Sequence, residues 1–150
     1  MNSKQLVLEG VMPTLAHREL SRRDKLDAIL RDLSSATRGV DGATLVRTDG
    51  LIVSSCSLGL SDDSMAAAMS AALLNIGGNV AKQLKLGDLR RVVVSGSKGD
   101  VVLTGTEDDM ILSVFIRKEA SLGMIFLQLS RTSEKISDAL TERRQTKPLS

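Results

Sequence analysis

The sequence predicts an α+β domain: a mostly antiparallel sheet of about five strands with helices on both faces. Three observations carry that prediction. Residues 21–38, 62–86 and a stretch beginning near Ser121 have apolar residues at helical spacing, and the segments between them are short and rich in β-branched residues. Brief polar connectors join the later β-like runs, which makes them antiparallel neighbours. Those runs, "VVV", "VVL" and "MILSVFI", are nearly continuous in apolar residues rather than alternating. Strands that read this way are covered on both faces. With 150 residues, 42% of them apolar, the chain can bury one core.

In the first helical stretch Leu26, Ile29, Leu30 and Leu33 share a face. "SRRD" at Ser21 has capping-box spacing, and Gly39 stands where a helix terminator belongs. Two short runs then flank Asp49-Gly50, a pair that supplies the positive φ values of a tight hairpin turn. The longest helix follows, with Asp62 and Asp63 in its first turn, as the helix dipole favours, and Gly87 as its stop. After it come three strand candidates, "LRRVVVSG", "DVVLTGTE" and "MILSVFIRK", connected through "SKGD" and "EDD". A closing helix places Leu122, Ile125, Phe126, Leu129, Ile136 and Leu140 along one side. The domain therefore spans 21–140, with an N-terminal extension at 1–20 and a basic tail at 141–150.

The first and last helices have one apolar face each and can share a side of the sheet, which leaves the middle helix to cover the other. That helix has two apolar stripes. Met65, Met69, Leu73, Ile76, Val80 and Leu84 form one, and Ala67, Ala71, Leu74, Gly78 and Ala81 lie nearly opposite. A surface helix needs a single stripe. The expectation is that the large residues face the sheet, and that the small ones let a second copy of the helix approach about a twofold axis. The strand after it would lie at the sheet edge and pair with its own copy, bringing Arg91 and Val93 to the interface.

Composition excludes several functions. The formal charge of +2 comes from 20 basic and 18 acidic residues, too even a balance to mark a polyanion binder. Phe115 and Phe126 are the only aromatics, so stacking platforms for single-stranded nucleic acid are missing. Cys56 is the sole cysteine, which favours a reducing compartment and a cytosolic setting. A thiol nucleophile needs a base, and the one histidine, His17, lies in the weakly patterned N-terminal region. "SGSKGD" lacks the spacing of a phosphate-binding loop, and the acidic clusters lack calcium-loop spacing. The alanine-rich run near residue 70 is a poor membrane span. Basic clusters near the two ends, Arg18, Arg22 and Arg23 and then Arg143, Arg144 and Lys147, read as solvated faces, with contact to nucleic acid or to an acidic partner surface as the alternatives. No catalytic set, cofactor or metal is expected.

The element order and several strings resemble the roadblock / dynein light-chain family in its archaeal and bacterial form, over about residues 23–140. The strings are "GATLVRTDG" at Gly42–Gly50, "MAAAMSAALLNIGGNVAKQL" with "LGDLRRVVVSG", and "ASLGMIFLQLSRTSEKI" with Leu122-Gly123. The resemblance implies a roadblock-like, profilin-like fold and a homodimer whose middle helices lie side by side and whose sheets join edge to edge. It also implies a non-catalytic adaptor or regulator of a Ras-like small GTPase, able to stimulate hydrolysis by its partner. The alternative it implies is a structural light-chain-like subunit whose binding ignores nucleotide.

Overall fold

A computed structural model describes residues 15–56 and 63–145, with side chains described over 21–56 and 63–141. The elements are α1 (Leu15–Ala36), β1 (Val40–Arg47), β2 (Ile52–Cys56), α2 (Asp63–Gln83), β3 (Val92–Ser95), β4 (Gly99–Gly105), β5 (Met110–Arg117) and α3 (Leu122–Gln145). The five strands form one antiparallel sheet in the order β2-β1-β5-β4-β3. Two hairpin-linked units, β1-β2 and β3-β4-β5, are joined in the centre by β1 against β5.

The central strands are buried on both faces, as their unbroken apolar runs predict. On one face α1 and α3 pack together over Ala43, Leu45, Val102, Leu112 and Val114 and contribute Leu26, Leu30, Leu33, Ile125, Leu129 and Ile136. On the other, α2 lies over Val46, Leu103 and Ile111. This second core is thinner and includes polar ground. Thr44 and Ser113 are directly opposite each other on β1 and β5, and both are fully buried with hydroxyls that have no hydrogen-bond partner.

Helix α1 begins at Leu15, so the "SRRD" capping signal falls inside the helix and the expected boundary at residue 20 cuts through it. At its other end Gly39 has φ +94°, and a Cβ there would collide with that of Ala120. At the β1-β2 hairpin only Gly50 is left-handed (φ +92°). Arg47 N–H donates to Leu51 C=O (2.8 Å) and Gly50 N–H to Arg47 C=O (2.9 Å). This is the three-residue loop that ends in a left-handed glycine, not the two-residue turn in which both residues have positive φ.

The stop of α2 is not Gly87 but Lys85, which has φ +55°. Leu86 N–H donates to Ala81 C=O (2.8 Å) and Lys85 N–H to Lys82 C=O (3.2 Å). These two bonds are the paired closure of a Schellman cap, with Lys85 at the position glycine favours. Lys85→Gly is expected to raise stability by about 0.5–1 kcal/mol, since it relieves left-handed strain at some cost in unfolded-state entropy. Urea denaturation measures it.

The β3-β4 turn is tied by polar contacts. Ser95 Oγ donates to Asp100 Oδ1 (2.6 Å), while Lys118 Nζ reaches Gly96 C=O (3.0 Å) and lies 3.5 Å from the same carboxylate. The Ser95 hydroxyl, with Lys118 beside it, holds the Asp100 carboxyl below its ordinary value. A depressed carboxyl contributes stability above its unfolded pKa and loses it as pH falls through the folded one. Asp100→Asn is therefore expected to flatten the dependence of Tm on pH below about pH 4 and to leave the neutral-pH slope unchanged. Thermal melts across that range test it.

Candidate interaction surface

Helix α2 divides into three sectors. At 100° per residue, Ala67, Ser70, Ala71, Leu74, Gly78 and Ala81 lie within one arc and face the sheet. Ala67 is fully buried and Ala81 nearly so, while Ala71 and Leu74 are half-buried against the second core. Nearly opposite, Met65 (59% exposed), Met69 (53%), Ile76 (58%) and Val80 (46%) form a contiguous stripe that Leu84 and Leu86 extend. Ser64, Asn75, Asn79 and Lys82 form the third, polar sector.

Within one chain the burial of the two apolar stripes is thus the reverse of the expected one. Ala67 and Ala81 are covered by the chain's own sheet and cannot meet a second copy. Ala71 and Leu74 point the same way. A Cβ on Gly78 would meet nothing within 4 Å, and this residue borders open depressions instead. The physical reason is fit. The central strands already fill the face under α2 with Val46, Leu103 and Ile111, so only small side chains let the helix settle there. Within the large stripe, Leu73 alone reaches back to the core.

Gly77 shows how the stripe meets the sheet edge. Its hydrogen points at Val92 and Leu89, and a Cβ would lie 2.7 Å from Val92 Cγ2. That close approach brings the edge strand β3 alongside the stripe. β3 is the free edge, as expected of "LRRVVVSG", with Val93 (41%) and Val94 (43%) exposed. Arg91 is not free-standing: its guanidinium stacks 4.0 Å over the Phe126 ring on α3. Stripe and edge thus bring exposed apolar residues of α2 and β3 side by side.

The hairpin pair has a local role. The Asp49 carboxylate pairs with Arg47 (2.6 Å) and accepts from Leu51 N–H (3.2 Å), fixing the loop. Gly50 sits against Ala68 of α2, with space for a Cβ 3.6 Å from its Cα. Between this loop and α2 lies an open depression of about 550 Å³, lined by Thr48, Asp49, Ala68, Ala72, Asn75 and Asn79. A second, of about 510 Å³, is lined by Lys82, Lys85, Asp88 and Leu89. Neither brings a nucleophile to a base. Cys56 is half-buried against the first core, and the described residues hold no group of three or more His, Cys, Asp or Glu that could bind a metal. No helix among them is long and apolar enough to cross a membrane.

The architecture is an antiparallel sheet with two helices behind it and a third, apolar on its outer side, in front. Residues 26–115 match the Roadblock/LC7 domain, and the chain belongs to that family. A Methanocaldococcus jannaschii protein of uncharacterised role is 28% identical over 111 residues, which cover 74% of this chain and 96% of that protein. The crystal structure of a Roadblock/LC7 domain from Streptomyces avermitilis superposes with a TM-score of 0.72 at 21% identity, covering 77% of this chain and 97% of that one. MglB of Myxococcus xanthus superposes with a TM-score of 0.73 at 20% identity, covering 79% and 96%.

Proposed function

We propose that the protein is a non-catalytic homodimeric adaptor that binds a Ras-like small GTPase and modulates its nucleotide cycle. The observation that carries the reading is the exposed stripe Met65-Met69-Ile76-Val80 beside the free β3 edge. A second copy turned about a twofold axis answers both features at once. It sets the β3-side flanks of the two stripes, Val80 and Leu84 beside Gly77, against each other, and it pairs β3 with its own copy through the backbone groups of the edge. Charge supports the antiparallel arrangement: α2 starts on Asp63 and has Lys82 in its last turn, so each helix would lay its acidic end beside its partner's basic one.

Likeness to MglB and membership of the Roadblock/LC7 family support a partner of the small-GTPase type. The absence of a nucleophile–base pair among the described side chains fits a role exerted through binding. The dimer presents two α2 helices on one side of a continuous sheet, with their polar sectors and flanking depressions turned outward. The test is to titrate the protein against Ras-like GTPases encoded in the same genome, in their GDP and GTP states, and to follow association and GTP turnover. Binding that prefers one nucleotide state is expected. Tight binding indifferent to nucleotide would favour the structural-subunit reading, and no association in either state would count against the GTPase as partner.

A further inference from the structure

Helix α2 has a second flank that the β3 edge does not reach. Ala68, against Gly50, and Gly77, against Val92, are nine residues apart, so at 100° per residue they lie on opposite sides of the helix. The Ala68 flank looks toward the β1-β2 loop, and between them lies the open depression of about 550 Å³. The β4-β5 turn, residues 106–109, borders it. Gly105, where that turn begins, has room for a Cβ 3.7 Å from Leu74 Cδ2, and Asp109 C=O accepts from Thr48 N–H (3.2 Å). Leu74 and Thr48 both line the depression.

The groove has an apolar floor and a low wall. Its floor is Leu74 and Ile111, which belong to the second core. Along the helix flank Ala68, Ala71 and Ala72 have nothing beyond Cβ, while Asn75 and Asn79, one turn apart, are exposed amides. The charge around it has one sign. Residues 47–51 and 105–110 hold one arginine against four carboxylates, a net −3 in a chain whose total is +2. Asp49 is engaged within its own loop by Arg47 and Leu51 N–H. Glu107 and Asp109 are exposed and form no ion pair among the described residues. The acids do not make a metal site, since no three ligating side chains converge among those residues. They give the mouth of an apolar groove a negative potential.

An arginine or lysine side chain answers both features. Its aliphatic stem fits along the alanine wall over Leu74 and Ile111, and its charged head reaches the carboxylates at the rim. Main-chain groups beside it find donors and acceptors in Asn75 and Asn79. An acidic segment would be repelled, and a wholly apolar one would leave the rim charges unanswered.

We propose that the groove between α2 and these two turns docks a basic segment of a partner protein, one that carries arginine or lysine. The groove faces away from β3, so it stays open in a pair joined at that edge. The inference therefore depends neither on the dimer nor on a GTPase being the partner. The probe is a fluorescein-labelled hexapeptide of alternating alanine and arginine, titrated with the full chain and followed by anisotropy. Binding is expected at low salt, weakening as salt rises, with none for the alanine–glutamate peptide. Glu107→Lys/Asp109→Lys is expected to lower the affinity on the order of 100-fold. Asn75→Trp, which fills the groove and leaves every carboxylate in place, is expected to lower it about tenfold. Asp24→Lys/Asp32→Lys makes the same change of charge on exposed positions of α1 and is expected to keep the affinity within about threefold. Unchanged circular dichroism and melting temperature show that the variants are folded. Three results would overturn the proposal: no binding of the arginine peptide at low salt, an equal loss from the reversal on α1, or full affinity in Asn75→Trp.

Discussion

Ile76→Asp is expected to leave the protomer folded and to weaken its self-association on the order of 1000-fold or more. Ile76 is 58% exposed within one chain, so the fold does not depend on its side chain. In a twofold pair it lies near the middle of the stripe, with Met69 and Val80 on either side, and every copy places one carboxylate in the contact. Burying an ionised carboxylate without a partner costs several kcal/mol, and symmetry imposes that cost twice. Sedimentation equilibrium measures the loss. The informative control is Ala67→Asp, which carries the same charge on the opposite side of the helix. Ala67 is fully buried against Val46, Leu103 and Ile111, so that variant is expected to unfold the chain rather than split a dimer. If Ile76→Asp assembled as the native chain does, the stripe would not be the interface and the proposed dimer would fail with it.

The contrast between those two residues also marks how far the sequence can be read. Element order, the antiparallel meander and helices on both faces follow from periodicity and from unbroken runs such as "VVL" and "MILSVFI", because burial on two faces leaves no position for polar residues. The run "VVV" of β3, expected to be covered in the same way, is instead half-exposed at the sheet edge. The edge position of β3 was legible from its place after a helix with an unspent apolar side. Periodicity gives the angle between two stripes of α2 but not which of them faces the sheet. That choice turns on the room left above Val46, Leu103 and Ile111, a three-dimensional quantity. One local sign was present: Gly77 lies on the flank between the stripes, where only a close neighbour explains its presence in a helix. Asp49-Gly50 was legible as a hairpin, but the loop length depended on Arg47 pairing with Leu51, one residue beyond the pair. The partner is the least legible part, since a helix face that meets another protein uses the same methionine, isoleucine and valine as one that meets its own core.

Gly39→Ala is expected to destabilise the fold by about 3 kcal/mol, the largest loss from adding a single methyl group. Two costs combine. Gly39 has φ +94°, a backbone region that side-chain-bearing residues rarely adopt, at about 1–2 kcal/mol. The added Cβ would also collide with that of Ala120, which sits in the connection from β5 to α3. That connection cannot simply retreat. Arg117 N–H is bonded to Gly39 C=O, Ala120 N–H donates to Arg117 C=O (3.1 Å), and Arg117 pairs with Asp41 across the strands. Movement there would shift the first turn of α3 against α1, and with it the packing of Leu33 and Ile125 in the larger core. The double variant Gly39→Ala/Ala120→Gly separates the two costs. Removing the Ala120 methyl clears the collision and leaves the backbone strain, so the pair is expected to recover about half of the loss in a denaturation cycle. Additive losses, with no recovery, would mean that the helix-to-strand turn at residues 37–39 is held by its backbone alone and that α3 makes no demand on it.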